Sequence, residues 1–156
     1  MSYSTEDMTG YCGLYCGDCL RYNCKASELA SQLDEELDII QFNEYANVKK
    51  KSAPSFSSHS QLKPILAAIS TMNCTTPCRA GGDGCSGGCT IIKCVQDNNR
   101  EGCWECNEFT TCKQFEFLKP FHGDTNILNL KMIKKHGISN WLDYREKCYP
   151  WNEDLP

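Results

Sequence analysis

The chain has little of what marks a membrane or exported protein. Its longest obviously apolar run covers residues 65–69, against the ~20 residues a membrane helix needs, so no membrane association is expected. The first ten residues are polar and carry Glu6 and Asp7. They lack the basic start, apolar stretch and small-residue cleavage site of an export signal, and the expectation is a cytoplasmic protein. Basic charge is scarce too, with 16 Lys and Arg against 20 Asp and Glu and a formal net charge of −4. The lysine clusters, Lys49-Lys50-Lys51 and Lys131 with Lys134-Lys135, fall where helix C-termini are expected, a place where cations favour the helix dipole. Neither makes the basic face that nucleic acid requires, so no nucleic-acid partner is expected. Strand-like sequence is nearly absent, Thr90 to Lys93 being the one hint. A phosphate loop is missing as well: Gly81-Gly82-Asp83-Gly84 is not followed by Lys-Ser or Lys-Thr. His59, His122 and His136 have no metal-ligand spacing to one another and are expected to be surface or packing residues.

What abounds is cysteine, 13 of 156 residues. Twelve fall in two clusters, Cys12, Cys16, Cys19 and Cys24, then Cys74, Cys78, Cys85, Cys89, Cys94, Cys103, Cys106 and Cys112; Cys148 stands apart. An intracellular chain keeps its thiols reduced, and an odd number cannot pair completely within one molecule, so metal ligation is preferred to a disulfide framework. Intervals of two, three and four residues let neighbouring thiolates fold back onto one tetrahedral ion. Two to three zinc ions are expected, and three tetrathiolate sites, each adding about −2, would bring the folded chain to about −10. Spacing does not fix which cysteines share a metal, because a tetrahedral site often draws one pair from each of two distant loops.

Zinc is preferred to an iron–sulfur cluster because the runs of cysteine that mark ferredoxins are absent. An iron–sulfur redox or electron-transfer protein stays as one alternative. A zinc enzyme with an open coordination position is another, with three thiolates and a water on the ion. The interval pattern of Cys12, Cys16 and Cys19 also occurs in radical enzymes that use S-adenosylmethionine, but those are built on a parallel barrel or part of one, and barrels of that general kind run to ~200 residues or more of alternating strands and helices. Cys103-Trp104-Glu105-Cys106 read as a redox dithiol would belong at a strand-to-helix turn of an α/β fold, which this chain does not offer. No pair of Asp18, Asp83, Glu105 and Glu108 can be given acid and base roles, and catalysis is not favoured.

Apolar periodicity predicts a mainly α protein, with a small α+β arrangement as the alternative: a helical frame carrying irregular, cysteine-rich, metal-bound loops. One domain over residues 1–156 is expected, with ligand loops at 11–25 and 74–112. Helices are expected at about 27–50, 60–73, 124–136 and 139–147. The first carries Leu29, Leu33, Leu37, Ile40, Tyr45 and Val48, with Ser27 available as its cap. Residues 52–60 read as a Ser-rich surface loop. Gly81, Gly82, Gly84, Gly87, Gly88 and Gly102 make 74–112 a segment in which metal would replace a core.

The opening Tyr11-Cys12-Gly13-Leu14-Tyr15-Cys16-Gly17-Asp18-Cys19, taken with Cys85, Cys89, Ile91, Cys94, Cys103, Cys106, Glu108-Phe109 and Cys112, resembles an uncharacterised bacterial and archaeal cysteine-rich family of unknown function with a CGxxCxxC opening, presumed to bind zinc. The resemblance covers most of the chain. It implies that Cys12, Cys16, Cys19, Cys85, Cys89, Cys94, Cys103, Cys106 and Cys112 are the metal ligands. Cys24, Cys74 and Cys78 lie outside the matched pattern and stand as further candidates, and Cys148 reads as a bystander. The expected role is a structural zinc protein that serves as an adaptor or interaction module for a protein partner.

Overall fold

A computed structural model describes residues 3–85, 87–145 and 149. The fold is mainly helical and, among the described residues, contains no sheet; its β-pairing is two isolated bridges, Thr9 with Tyr15 and Tyr22 with Cys74. The chain forms two compact units, one made of Met1–Cys19 and Thr76–Pro156, the other of Leu20–Thr75. No helix among the described residues is long and apolar enough to cross a membrane.

The Leu20–Thr75 unit is built on α2 (Lys25–Ile39), α3 (Phe42–Lys49) and α4 (Leu62–Ser70), following the short α1 (Thr5–Met8) of the other unit. Ser27, near the start of α2, donates its hydroxyl to the Ser70 carbonyl at the end of α4 (2.7 Å), and Asp38, near the end of α2, pairs with Lys63 near the start of α4 (2.5 Å). The two helices are therefore antiparallel. Ser27 is a buried cross-link and not a cap; Cys24 holds the N-cap position.

The single helix expected over 27–50 is broken at Gln41, whose φ of 51° is left-handed. Turning there lets Phe42 and Tyr45 meet Phe56, with ring centroids 5.6 and 6.0 Å away, and buries Ala46. The expected loop at 52–60 is in fact a 3-10 helix, Pro54–Gln61, opened by Pro54, whose fixed φ suits a first turn. The ends of the unit are tied where the Cys74 N–H donates to the Arg21 carbonyl (2.8 Å) and the Asn23 N–H to the Cys74 carbonyl (2.9 Å).

The other unit holds the main core. Besides α1 it contains α5 (Thr90–Asp97), α6 (Lys119–His122) and α7 (Thr125–His136), joined by 3-10 turns. Ile91 and Val95 on α5, Trp104, Phe109, Phe115 and Leu118 on the turns, and Leu130 and Ile133 on α7 are all buried, around a fully buried Trp141. The cysteine-rich segment thus contributes apolar side chains to the unit's common core, where the sequence led to the expectation that metal replaces one. Thr90 to Lys93, the strand hint, opens α5: Ile91 and Val95 lie four apart and both face the core, and that burial outweighs β-branched preference.

On α7 the buried stripe is Asn126, Asn129, Leu130 and Ile133, so two amides share the face that apolar pattern alone assigned to leucine and isoleucine, while Leu128 is exposed. Asn129 uses its amide to hold the Gly13 carbonyl at 2.8 Å. Gly137 (φ 81°) ends the helix as expected, its N–H bonded to the Ile133 carbonyl at 2.8 Å. The helix expected at 139–147 is a 3-10 turn, Trp141–Tyr144, after which Arg145 is extended. Its tertiary contacts set that geometry: the Trp141 indole N–H bonds the buried Thr9 hydroxyl at 3.0 Å, and Arg145 reaches Asp18 at 2.8 Å. Residues 146–148, including Cys148, lie outside the described residues.

Candidate metal centre

The cysteine pairs with two residues between them sit on single 3-10 turns. In Cys16–Asp18 the Cys19 N–H bonds the Cys16 carbonyl (3.1 Å), and in Cys103–Glu105 the Cys106 N–H bonds the Cys103 carbonyl (3.0 Å). Side chains at i and i+3 eclipse in this helix, so each pair presents two sulfurs on one side. Gly102 makes the second turn fit beneath its own tryptophan: a methyl group there would stand 2.1 Å from the Trp104 ring. Asp18, inside the first turn, is held by Arg145, whose guanidinium also lies 5.0 Å from the Tyr15 ring centroid.

Cys89 and Cys94 are placed differently. Cys89 is the N-cap of α5 and Cys94 lies a little more than one turn inside it. Five residues correspond to ~140° of rotation, so the two sulfurs diverge and join different neighbours. Burial pushes the Cys103 thiol up to about 12, and the charges of Cys112, Cys94 and Cys106 act in the same direction. These four form one group. Burial likewise pushes the Cys12 thiol well above its ordinary value, with Cys85, Cys78 and Cys103 adding to the effect, while the Leu14 N–H bond to the sulfur opposes it. Cys78 is raised by burial and by Cys89, against the Tyr11 N–H and the Arg79 charge.

Cys12, Cys78, Cys85 and Cys89 make a second set of neighbours, linked through Cys12 and Cys78, and Cys103 borders this set as well as its own. The point where a Gly10 Cβ would stand is 3.6 Å from both the Cys12 and Cys78 sulfurs. The groups adjoin through the bond from the Cys103 N–H to the Tyr11 carbonyl, 2.9 Å. Among the described residues, however, no three His, Cys, Asp or Glu side chains converge closely enough, as they stand, to hold a metal ion.

Of the nine cysteines implied by the resemblance, seven fall in these two groups, and Cys78 joins them although it lay outside the matched pattern. Cys16 and Cys19 stand together on their own turn. Within the Leu20–Thr75 unit, Cys24 and Cys74 are brought near one another by the Tyr22 bridge. Cys85 is exposed, and the other eleven described cysteines are half-buried.

One participant was missed in the sequence: Arg79, beside Cys78, lies over the Tyr11 and Trp104 rings (5.1 and 5.5 Å) and bonds the Glu101 carbonyl at 2.6 Å, clamping the Cys78 turn. Its only sequence signal was adjacency to a cysteine. The histidines are engaged elsewhere, His59 with the Phe56 carbonyl (2.8 Å), His122 against Tyr149 and His136 stacked on Tyr144.

A search of curated proteins and of solved structures finds no match. The family model DUF3795, described as a protein of unknown function, matches residues 8–117. That span takes in all twelve clustered cysteines and leaves Cys148 outside. The chain belongs to the DUF3795 family of proteins of unknown function.

Proposed function

We propose that the unit made of Met1–Cys19 and Thr76–Pro156 is a structural zinc module with two tetrathiolate sites, Cys12 with Cys78, Cys85 and Cys89, and Cys94 with Cys103, Cys106 and Cys112. The observation that carries this reading is the clustering of eight thiols from loops as far apart in sequence as Cys12 and Cys78, with Cys94, Cys106 and Cys112 about Cys103, Cys78 and Cys85 about Cys12, and Cys89 beside Cys78; the division into two sites is our assignment. An all-thiolate donor set is soft and suits zinc. N–H groups of Leu14 and Tyr11 aimed at the sulfurs, with Arg79 and Arg100 nearby, are the surroundings that stabilise thiolate charge.

Zinc would supply cross-links between turns that have few hydrogen bonds of their own. Four thiolates leave no open position, which favours a binding or adaptor role over catalysis. The exposure of Cys85 favours one second reading: if any ligand yields to water, giving a zinc ion with an open position, it is this one.

The test is the metal content of full-length protein purified anaerobically without added metal. At least two zinc ions per chain in a colourless sample are expected. Fewer than one zinc, or a brown sample with broad visible absorption, refutes the reading.

A further inference from the structure

The Leu20–Thr75 unit has little core. Its buried apolar residues are Ala30, Ala46 and Leu66, whereas Leu29, Leu33, Ile40 and Ile65 are 52%, 47%, 61% and 53% exposed. These four share one side of the α2–α4 pair. Ser27, Ala30, Asp34 and Leu37 mark the face of α2 turned to α4; Asp34 and Asp38 lie at one edge of it, where both meet Lys63. Leu33 stands ~100° around α2 from Asp34, toward the opposite edge, and Ile65 stands ~160° around α4 from Lys63. In an antiparallel pair the edge opposite the ion pairs is common to both helices, and it is here an exposed apolar strip.

Along α2 the strip reads Lys25, Leu29, Leu33, Glu36, Ile40. The intervals are four, four, three and four residues, and all five side chains are exposed. The charges bracket the two leucines with opposite signs, and neither Lys25 nor Glu36 has an ion pair among the described residues. Such a stripe complements itself. A two-fold axis crossing α2 midway between Leu29 and Leu33 sets Leu29 against Leu33 of the second copy and brings Lys25 beside Glu36 of that copy, twice over.

We propose that this face is the interface of a homodimer in which the α2 helices pack antiparallel. The surface is small, so the dimer is weak, with a dissociation constant in the micromolar range or above. It is independent of metal binding, since none of the eight proposed ligands lies in this unit.

The experiment is sedimentation equilibrium of the full zinc-loaded chain over a wide concentration range, with a thiol-free reductant to exclude intermolecular disulfides. A monomer–dimer equilibrium is expected. Lys25→Glu and Glu36→Lys should each weaken it by about tenfold or more, because two attractive contacts become repulsive. The double variant should restore it, because the pairs re-form with exchanged signs. Both residues are exposed, so neither change threatens folding. A chain that stays monomeric throughout, a dimer indifferent to either reversal, or a double variant no better than the singles overturns the proposal.

Discussion

Gly13 joins the first cysteine turn to α7, and its replacement by alanine is the most direct probe of how the Cys12 loop is held. Its φ is 85°, and a Cβ there would stand 2.8 Å from Leu130 Cγ and 2.9 Å from the Asn126 carbonyl oxygen. Neither neighbour can yield: Leu130 is fully buried and the carbonyl belongs to the α7 backbone. A left-handed conformation costs a non-glycine residue ~1–2 kcal/mol, and forced overpacking of a filled site adds ~1–3 kcal/mol. Displacing the loop also strains the buried bond from Asn129 to the Gly13 carbonyl, a contact worth ~1 kcal/mol. The expected loss is about 3–6 kcal/mol.

Gly81→Ala is the matched control, because Gly81 has a φ of 100° but nothing within 4 Å of its would-be Cβ. It should lose only the conformational ~1–2 kcal/mol, and the entropy that alanine removes from the unfolded chain is common to both variants. Urea unfolding followed by tryptophan fluorescence at fixed free zinc should separate the two midpoints by about 1–2 M, given a slope of ~2 kcal/mol/M. Equal midpoints would mean that the loop does not rest on α7 as described.

Under the proposed assignment, which gives both thiols to one ion, Cys94→Ser and Cys103→Ser should each release about one zinc ion, and the double variant should release no more than either alone. Cys89→Ser with Cys94→Ser should release two, although these residues are neighbours on α5; native mass spectrometry reads the count, and a loss of one in this case contradicts the assignment. Burial lowers the pKa of His122 from its usual value, and Nδ1 has no hydrogen-bond partner. The unfolded chain therefore binds more protons between the folded value and ~6.5, so stability contributed by neutral His122 is present above ~6.5 and is lost as pH falls toward the folded value. His122→Gln should lessen the fall in urea midpoint between neutral and mildly acid pH relative to the natural chain, with which it shares every cysteine; identical slopes would exclude a role for this histidine.

Several features of the fold were legible in the sequence. The α7 helix and its glycine stop follow from local pattern, as does the pairing of Cys103 with Cys106, because an interval of three residues is itself the geometry of one tight turn. The break at Gln41 was not legible, because Ile39, Phe42 and Tyr45 continue three-residue helical intervals across it. The core beneath the cysteine loops was harder to see, since Ile91, Val95, Trp104, Phe109 and Phe115 are scattered singly among glycines and thiols. Their burial depends on α7 and Trp141, which arrive much later in the chain.

By itself the sequence determined a mainly helical chain dense in thiols, with turns that present sulfurs in pairs, because these properties rest on composition and on intervals of a few residues. Tertiary structure decided which thiols lie side by side. Cys12 meets Cys78 because the Gly10–Leu14 loop packs against the Cys78 turn, and Cys89 parts from Cys94 because burial of Ile91 and Val95 makes α5 a helix, and five helical residues turn two side chains away from each other. No local spacing encodes that choice; it is made by which apolar side chains leave water together.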